Sequence, residues 1–104
     1  MNYDEKKLVV NAASHHLELE IDGYIAFIDF KLIGQVLFLI HTEVPAELEG
    51  KGVGSAIVQK ALQFAKDKNY QIVPICPFVQ SYLERHKEWN KIIAPDAERY
   101  IHKK

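Results

Sequence analysis

Hydrophobic positions follow two rhythms along the chain. Leu17, Leu19 and Ile21 alternate with His16, Glu18 and Glu20, the period of two expected of a half-buried strand. Asp22-Gly23 is a turn signal, and Tyr24 to Ile33 (YIAFIDFKLI) follows as a longer β-branched and aromatic run. Gly34-Gln35 turns the chain again into a strand predicted over Val36 to Val44 (VLFLIHTEV), and Lys7 to Asn11 predicts a short first strand. Tight turns between consecutive strands imply an antiparallel meander.

Beyond Gly50 the period lengthens. Val53, Ile57, Ala61, Leu62, Phe64 and Ala65 recur at helical spacing, with Lys60, Lys66, Asp67 and Lys68 tending to the other side and Asn69 as a stop. Tyr70 to Cys76 (YQIVPIC) reads as a strand reached by a helical crossover, hence parallel to the strand before the helix. Pro77 suits the start of a second helix over Phe78 to Glu88, with Phe78, Tyr82 and Leu83 as its buried stripe. Pro74 offers no N–H to a ladder, which is tolerable where two parallel neighbours diverge and leave a gap.

With 104 residues, 48% of them apolar and 26% charged, the composition is that of one soluble domain spanning 1–104. A net charge of −1 gives no support for a general nucleic-acid or membrane surface. The N-terminal residues lack a signal-peptide pattern, and the single cysteine, Cys76, excludes an internal disulfide framework and suits a reducing compartment. A cytoplasmic protein is the expectation. His15 and His16 adjoin on a strand and so point to opposite faces; no zinc-type spacing occurs, and no metal is expected.

The chemistry is concentrated at Glu49-Gly50-Lys51-Gly52-Val53-Gly54-Ser55, alternating glycines that run into a helix. A helix N-terminus presents N–H groups without internal partners, and glycine removes the Cβ atoms that would hold an anion away. Strand, glycine turn and helix together make an anion cradle. The Walker spacing fails because Gly52 follows Lys51, and the dinucleotide fingerprint fails because Ser55 stands where its third glycine belongs. The loop resembles instead the pyrophosphate loop of the GNAT acetyltransferases, Arg/Gln-x-x-Gly-x-Gly/Ala, with Gly52 and Gly54 in the glycine positions and Glu49 where Arg or Gln is usual. The meander, the strand ending in HTEVP, and IVPICP with the following FVQSYLERH extend the likeness over residues 8 to 93, to a minimal GNAT-like subfamily of about 100 residues with a cysteine after the fifth strand.

That resemblance implies an α+β fold of the three-layer sandwich type. Its mixed, mostly antiparallel sheet has a splayed parallel pair and two main helices, with acetyl-CoA wedged in the splay and no metal. The cofactor-binding residues it implies are Val44, Glu49, Gly50, Lys51, Gly52, Val53, Gly54, Ser55 and Cys76. The helices that usually precede the meander and help form an acceptor site are not expected here. On Val36 to Val44 the alternation places Leu37, Leu39, His41 and Glu43 on one face, which makes His41 or Glu43 the candidate base for an attacking amine. Cys76, before the helix-opening Pro77, stands where a helix N-terminus stabilises thiolate; it is a candidate acetyl acceptor or a lining residue. Tyr82 is implied by the resemblance as the helical tyrosine that protonates the departing CoA thiolate, with Arg85 and His86 near it as candidate phosphate contacts.

The expected activity is an acetyl-CoA-dependent N-acetyltransferase acting on an amine-bearing small molecule or protein, with neither nucleic acid nor membrane as partner. Two alternatives stay open: a CoA-binding module or sensor without efficient transfer, and a small interaction domain whose glycines only make a turn.

Overall fold

The computed structural model describes residues 3–101. Five strands lie in sequence order: β1 (Val9–Asn11), β2 (His16–Ile21), β3 (Tyr24–Ile33), β4 (Val36–Glu43) and β5 (Gln71–Pro74). The first four form the expected antiparallel meander, and β5 runs parallel to β4. Asp22 and Gly23, at φ 54° and 84°, make the two-residue loop between β2 and β3, the primed geometry that suits strand twist. His15 belongs to the preceding turn, at φ 59°, so only His16 is on the strand.

Helix α1 (Val53–Asp67) is the crossover between β4 and β5. It ends as the sequence signals: Asn69 takes φ 61°, its N–H bonds to the Lys66 carbonyl, and the Tyr70 N–H reaches back to the Ala65 carbonyl. These two bonds satisfy carbonyls that the helix leaves open. Helix α2 spans Pro77–Arg85, three residues shorter at its C-terminus than predicted. His86 leaves helical geometry at φ −135°, and a 3-10 turn over Lys87–Ile92 follows.

One apolar core gathers Leu17, Leu19, Ile28, Leu37, Leu39 and Ile72 from the sheet against Ile57, Ala61 and Leu62 of α1 and Val79, Tyr82 and Leu83 of α2. A smaller cluster lies on the opposite face of β4 and β5, where Val36, Phe38 and Val73 meet Ala94 and Ala97 of the C-terminal segment. That segment also flanks β5: Ile93 pairs with Ile72 in parallel, and the Ala94 N–H bonds to the Ile72 carbonyl.

The parallel pair ends at Leu39 and Pro74. Beyond it, Ile75 and Cys76 both donate their N–H to the Leu39 carbonyl at 2.9 Å, while β4 continues to Glu43 along β3. The strands therefore part at this point, and the regular β5 is shorter than the predicted Tyr70–Cys76. The rationale expected for Pro74 needs correction. Gln71 and Ile75 donate to Gln35 and Leu39, so alternate residues of β5 face β4 and the Pro74 nitrogen faces the outer edge. Proline is tolerated because that edge carries an isolated bridge at Ile72 and no further strand, so no ladder donor is needed at residue 74.

Gln80 of α2 completes the fork. Its side-chain Nε2 donates to the carbonyls of Pro74 and Ile75, at 2.9 and 3.1 Å, which supplies a partner to backbone groups at the end of β5. Replacing Gln80 with Ala should therefore cost about 1–3 kcal/mol in urea unfolding. Gln80→Met, equal in bulk but without the amide, should not recover that loss.

Candidate functional site

The loop between β4 and α1 is shaped by two left-handed glycines. Gly50 and Gly52 lie at φ 77° and 75°, and Gly52 is the residue preceding α1. At that backbone angle an L side chain is strained, so the sequence confines the turn to glycine. The first helical bond runs from Ala56 N–H to the Gly52 carbonyl, and no side chain caps the helix. The amides of Val53, Gly54 and Ser55 thus precede the helix's own bonding, at its positive end. On the far side of the loop, the Tyr3 hydroxyl donates to the Lys51 carbonyl at 2.8 Å.

Two clefts meet at this helix end. One, of about 450 Å³, is walled by Thr42, Glu43 and Val44 of the β4 end, by Leu48 and by Phe78 of α2, and floored by residues 49, 50 and 52–55. The other, of about 640 Å³, follows the groove between α1 and α2 past Ala56, Gln59, Lys60 and Gln63 to Tyr82 and His86. Gly52 and Ser55 line both. Of the expected cofactor residues, Val44, Glu49, Gly50, Gly52, Val53, Gly54 and Ser55 line the first cleft; Lys51 and Cys76 are not on its surface. Cys76 is 2% exposed and lies behind Thr42, whose Oγ1 is 3.3 Å from its Sγ.

Thr42 stands on that face because of a bulge. Asp29 pairs with His41 but Phe30 pairs with Leu39, leaving Ile40 as an extra residue in β4. A one-residue bulge reverses the alternation beyond it. Thr42, in register with Ile28 and through it with Leu17, follows Leu37 and Leu39 on the core face. His41 and Glu43 turn to the other face, so the expectation that they share a face with Leu37 and Leu39 fails. The bulge has no signature in the regular apolar–polar alternation, and Thr42 escapes a reading based on it.

On that opposite face the side chains form two cross-strand rows, His16–Asp29–His41 and Glu18–Phe27–Glu43. His16 Nε2 is 2.7 Å from Asp29 Oδ1 and its ring stacks on Phe27 at 3.9 Å. His41 Nε2 is 2.9 Å from Glu43 Oε1. Glu43 is the member of this shelf that also lines the cleft at the glycine loop, so the two surfaces meet at its carboxylate.

Tyr82 belongs to the second cleft, apart from Thr42 and Glu43. It is 5% exposed and stacks on His86 at 4.1 Å. Burial raises its phenol pKa above the ordinary value, Glu88 raises it further and Arg85 partly opposes them. Arg85 itself donates to the Ser81 hydroxyl, whereas His86 lines the groove. Phe78, expected in the buried stripe, is 40% exposed at the first cleft; Val79 takes its place in the core. Among the described residues, no three His, Cys, Asp or Glu side chains converge as a metal site, and no helix is long and apolar enough to cross a membrane.

The strand order, the parted parallel pair and the glycine-bounded helix make this a GNAT-like core. Comparison with protein families agrees: residues 16–92 match GCN5-related N-acetyl-transferase, and the chain belongs to that family.

The Tyr82 shift has a consequence for stability. The folded state holds the phenolic proton more tightly than the unfolded chain, so this contribution is fully present below the ordinary tyrosine pKa of about 10 and is lost as pH rises through the folded value. Tyr82→Phe should remove that part of the alkaline loss. Denaturation midpoints at pH 8 and pH 11 should lie closer together in the variant than in the parent; an unchanged gap would show that Tyr82 does not contribute.

Proposed function

We propose that the chain is an acetyl-CoA-dependent N-acetyltransferase that acylates a primary amine. The observation that carries this reading is the meeting of two clefts at Gly52 and Ser55, beside the uncapped start of α1. A ligand with a diphosphate between two arms fits such a junction. The amides at Val53, Gly54 and Ser55 are placed to bind the diphosphate. The cleft of Val44, Leu48 and Phe78 suits the less polar pantetheine arm, and the groove of Gln59, Lys60 and His86 suits the nucleotide. When bound, acetyl-CoA supplies the activated acyl group.

The chain's own part in the reaction is binding and proton transfer. An amine attacks only when neutral. Glu43 is at the cleft, with His41 hydrogen-bonded to it, and this pair is the proposed proton acceptor. Glu18 and Asp29 on the same shelf bias its potential toward a cationic acceptor. Thr42 and the buried Cys76 adjoin the reacting end, where the thiol is proposed as part of the wall, direct transfer needing no acetyl-cysteine. Tyr82 keeps its phenolic proton through neutral pH. Its position in the nucleotide groove favours a wall role over the leaving-group acid.

Glu49 favours a second reading, a CoA-binding module without efficient transfer, because its carboxylate lines the cleft proposed for an anion. Turnover separates the two. Acetyl-CoA should shift the backbone amides of residues 50–55 saturably in an NMR titration, and CoA thiol should be released with an amine panel. Glu43→Gln should lower kcat at neutral pH by about 100-fold with unchanged CoA affinity. Binding without amine-dependent thiol release would leave the module reading, and absence of shifts at millimolar ligand would remove both.

Removing the charge at Glu49 offers an independent check on the cradle. Glu49→Gln should tighten CoA binding by about two- to fivefold at low salt, with the gain shrinking as salt screens it. An unchanged Kd at low ionic strength would place the diphosphate elsewhere.

A further inference from the structure

The three glycines of the loop do not share one purpose. Gly50 and Gly52 have positive φ and open space around the Cβ position. Gly54 is different: it lies within α1 at an ordinary helical φ, where alanine would be the better helix former. A Cβ added there would stand 2.8 Å from Cζ and 3.2 Å from Cε2 of Phe78. The bare Cα is therefore a seat for an aromatic ring from the other helix.

That ring is oddly placed for a packing residue. Phe78 is 40% exposed, although Val79, Tyr82 and Leu83 beside it on α2 are buried. Its ring lines the cleft together with Thr42, Val44 and the start of α1, and Thr42 in turn contacts Cys76. An exposed ring resting against the bare Cα of Gly54 offers a flat apolar surface to whatever passes along the cleft.

Taking acetyl-CoA as the ligand, as proposed above, we infer that Phe78 is a binding residue for the pantetheine arm and that Gly54 positions its ring. The phosphate contacts then rest on the amides and on the shape of the turn at Gly50 and Gly52. The absence of a side chain at residue 54 serves the other arm of the ligand. In this arrangement α2 contributes to cofactor affinity through one residue in its first turn.

Calorimetric titration of CoA and of adenosine 3′-phosphate 5′-diphosphate, which lacks the pantetheine arm, tests the assignment on the whole chain and three variants. Phe78→Ala should weaken CoA by about tenfold, the scale expected for losing part of an aromatic contact, and leave the nucleotide within about twofold. Gly54→Ala should weaken CoA severalfold by displacing the ring, and should add nothing in a Phe78→Ala background. Equal loss for both ligands in Phe78→Ala, or no loss for either, would overturn the inference while leaving the acetyl-CoA reading intact. An undiminished effect of Gly54→Ala in the double variant would assign the bare Cα to the phosphates and overturn the Gly54 half. If the parent chain binds neither ligand, the acetyl-CoA reading fails and this inference with it. Amide NMR spectra of the variants, unchanged outside the first turns of α1 and α2, would exclude unfolding as the cause.

Discussion

The parting of β4 and β5 at Leu39 is the constraint on which the site depends. One carbonyl accepts the N–H of both Ile75 and Cys76, so the parallel ladder stops while β4 continues along β3 for four more residues. A ladder that continued past Leu39 would run along the edge of β4 that leads to Thr42 and Glu43, two walls of the cleft. The cost of stopping is a set of backbone groups without strand partners, and the molecule meets part of it locally through the two bonds from Gln80. Helix α2 is therefore tied to the fork through a polar side chain as well as through its apolar face.

A second departure from regularity, the extra residue at Ile40, decides what each side of the fork receives. Thr42 goes to the core side, next to Cys76, and His41 with Glu43 goes to the open face. On the proposed function, the sheet thereby separates binding from proton transfer: glycines, Thr42 and Phe78 on one side, imidazole and carboxylates on the other. Glu43 at the strand end touches both.

Much of this was legible in the chain itself. Period-two alternation locates β2, the β-branched and aromatic run locates β3, and the Asp22-Gly23 turn falls where expected, because composition, alternation and turn chemistry are local properties. Asn69 marked the end of α1 for the same reason, its left-handed conformation being a property of one residue. The family is likewise legible from the spacing around the glycine loop, and the match over residues 16–92 bears the family out. What escaped reading was set by pairing across the sheet. The Ile40 bulge arises from register with β3, so alternation along β4 alone puts His41 and Glu43 on the wrong face. The direction of the Pro74 nitrogen follows from which β5 residues face β4, a parity that sequence does not carry. Phe78 leaves the expected buried stripe because helical spacing says which residues are neighbours, while the gap left by Gly54 says which of them can stay outside the core.

The bonds from Gln80 also bear on what the fork can recognise. With the Ile75 carbonyl engaged by Gln80 and the Pro74 carbonyl on the outer edge, the β5 side offers little to a polar chain lying in the gap. The margin of β4 from Ile40 to Glu43 is the side that has lost its neighbour. A guest amide there would meet half a sheet: one template strand to zip against and, across from it, a surface already sealed. Recognition at the fork would then be one-handed, reading the order of donors and acceptors along a single edge of the guest.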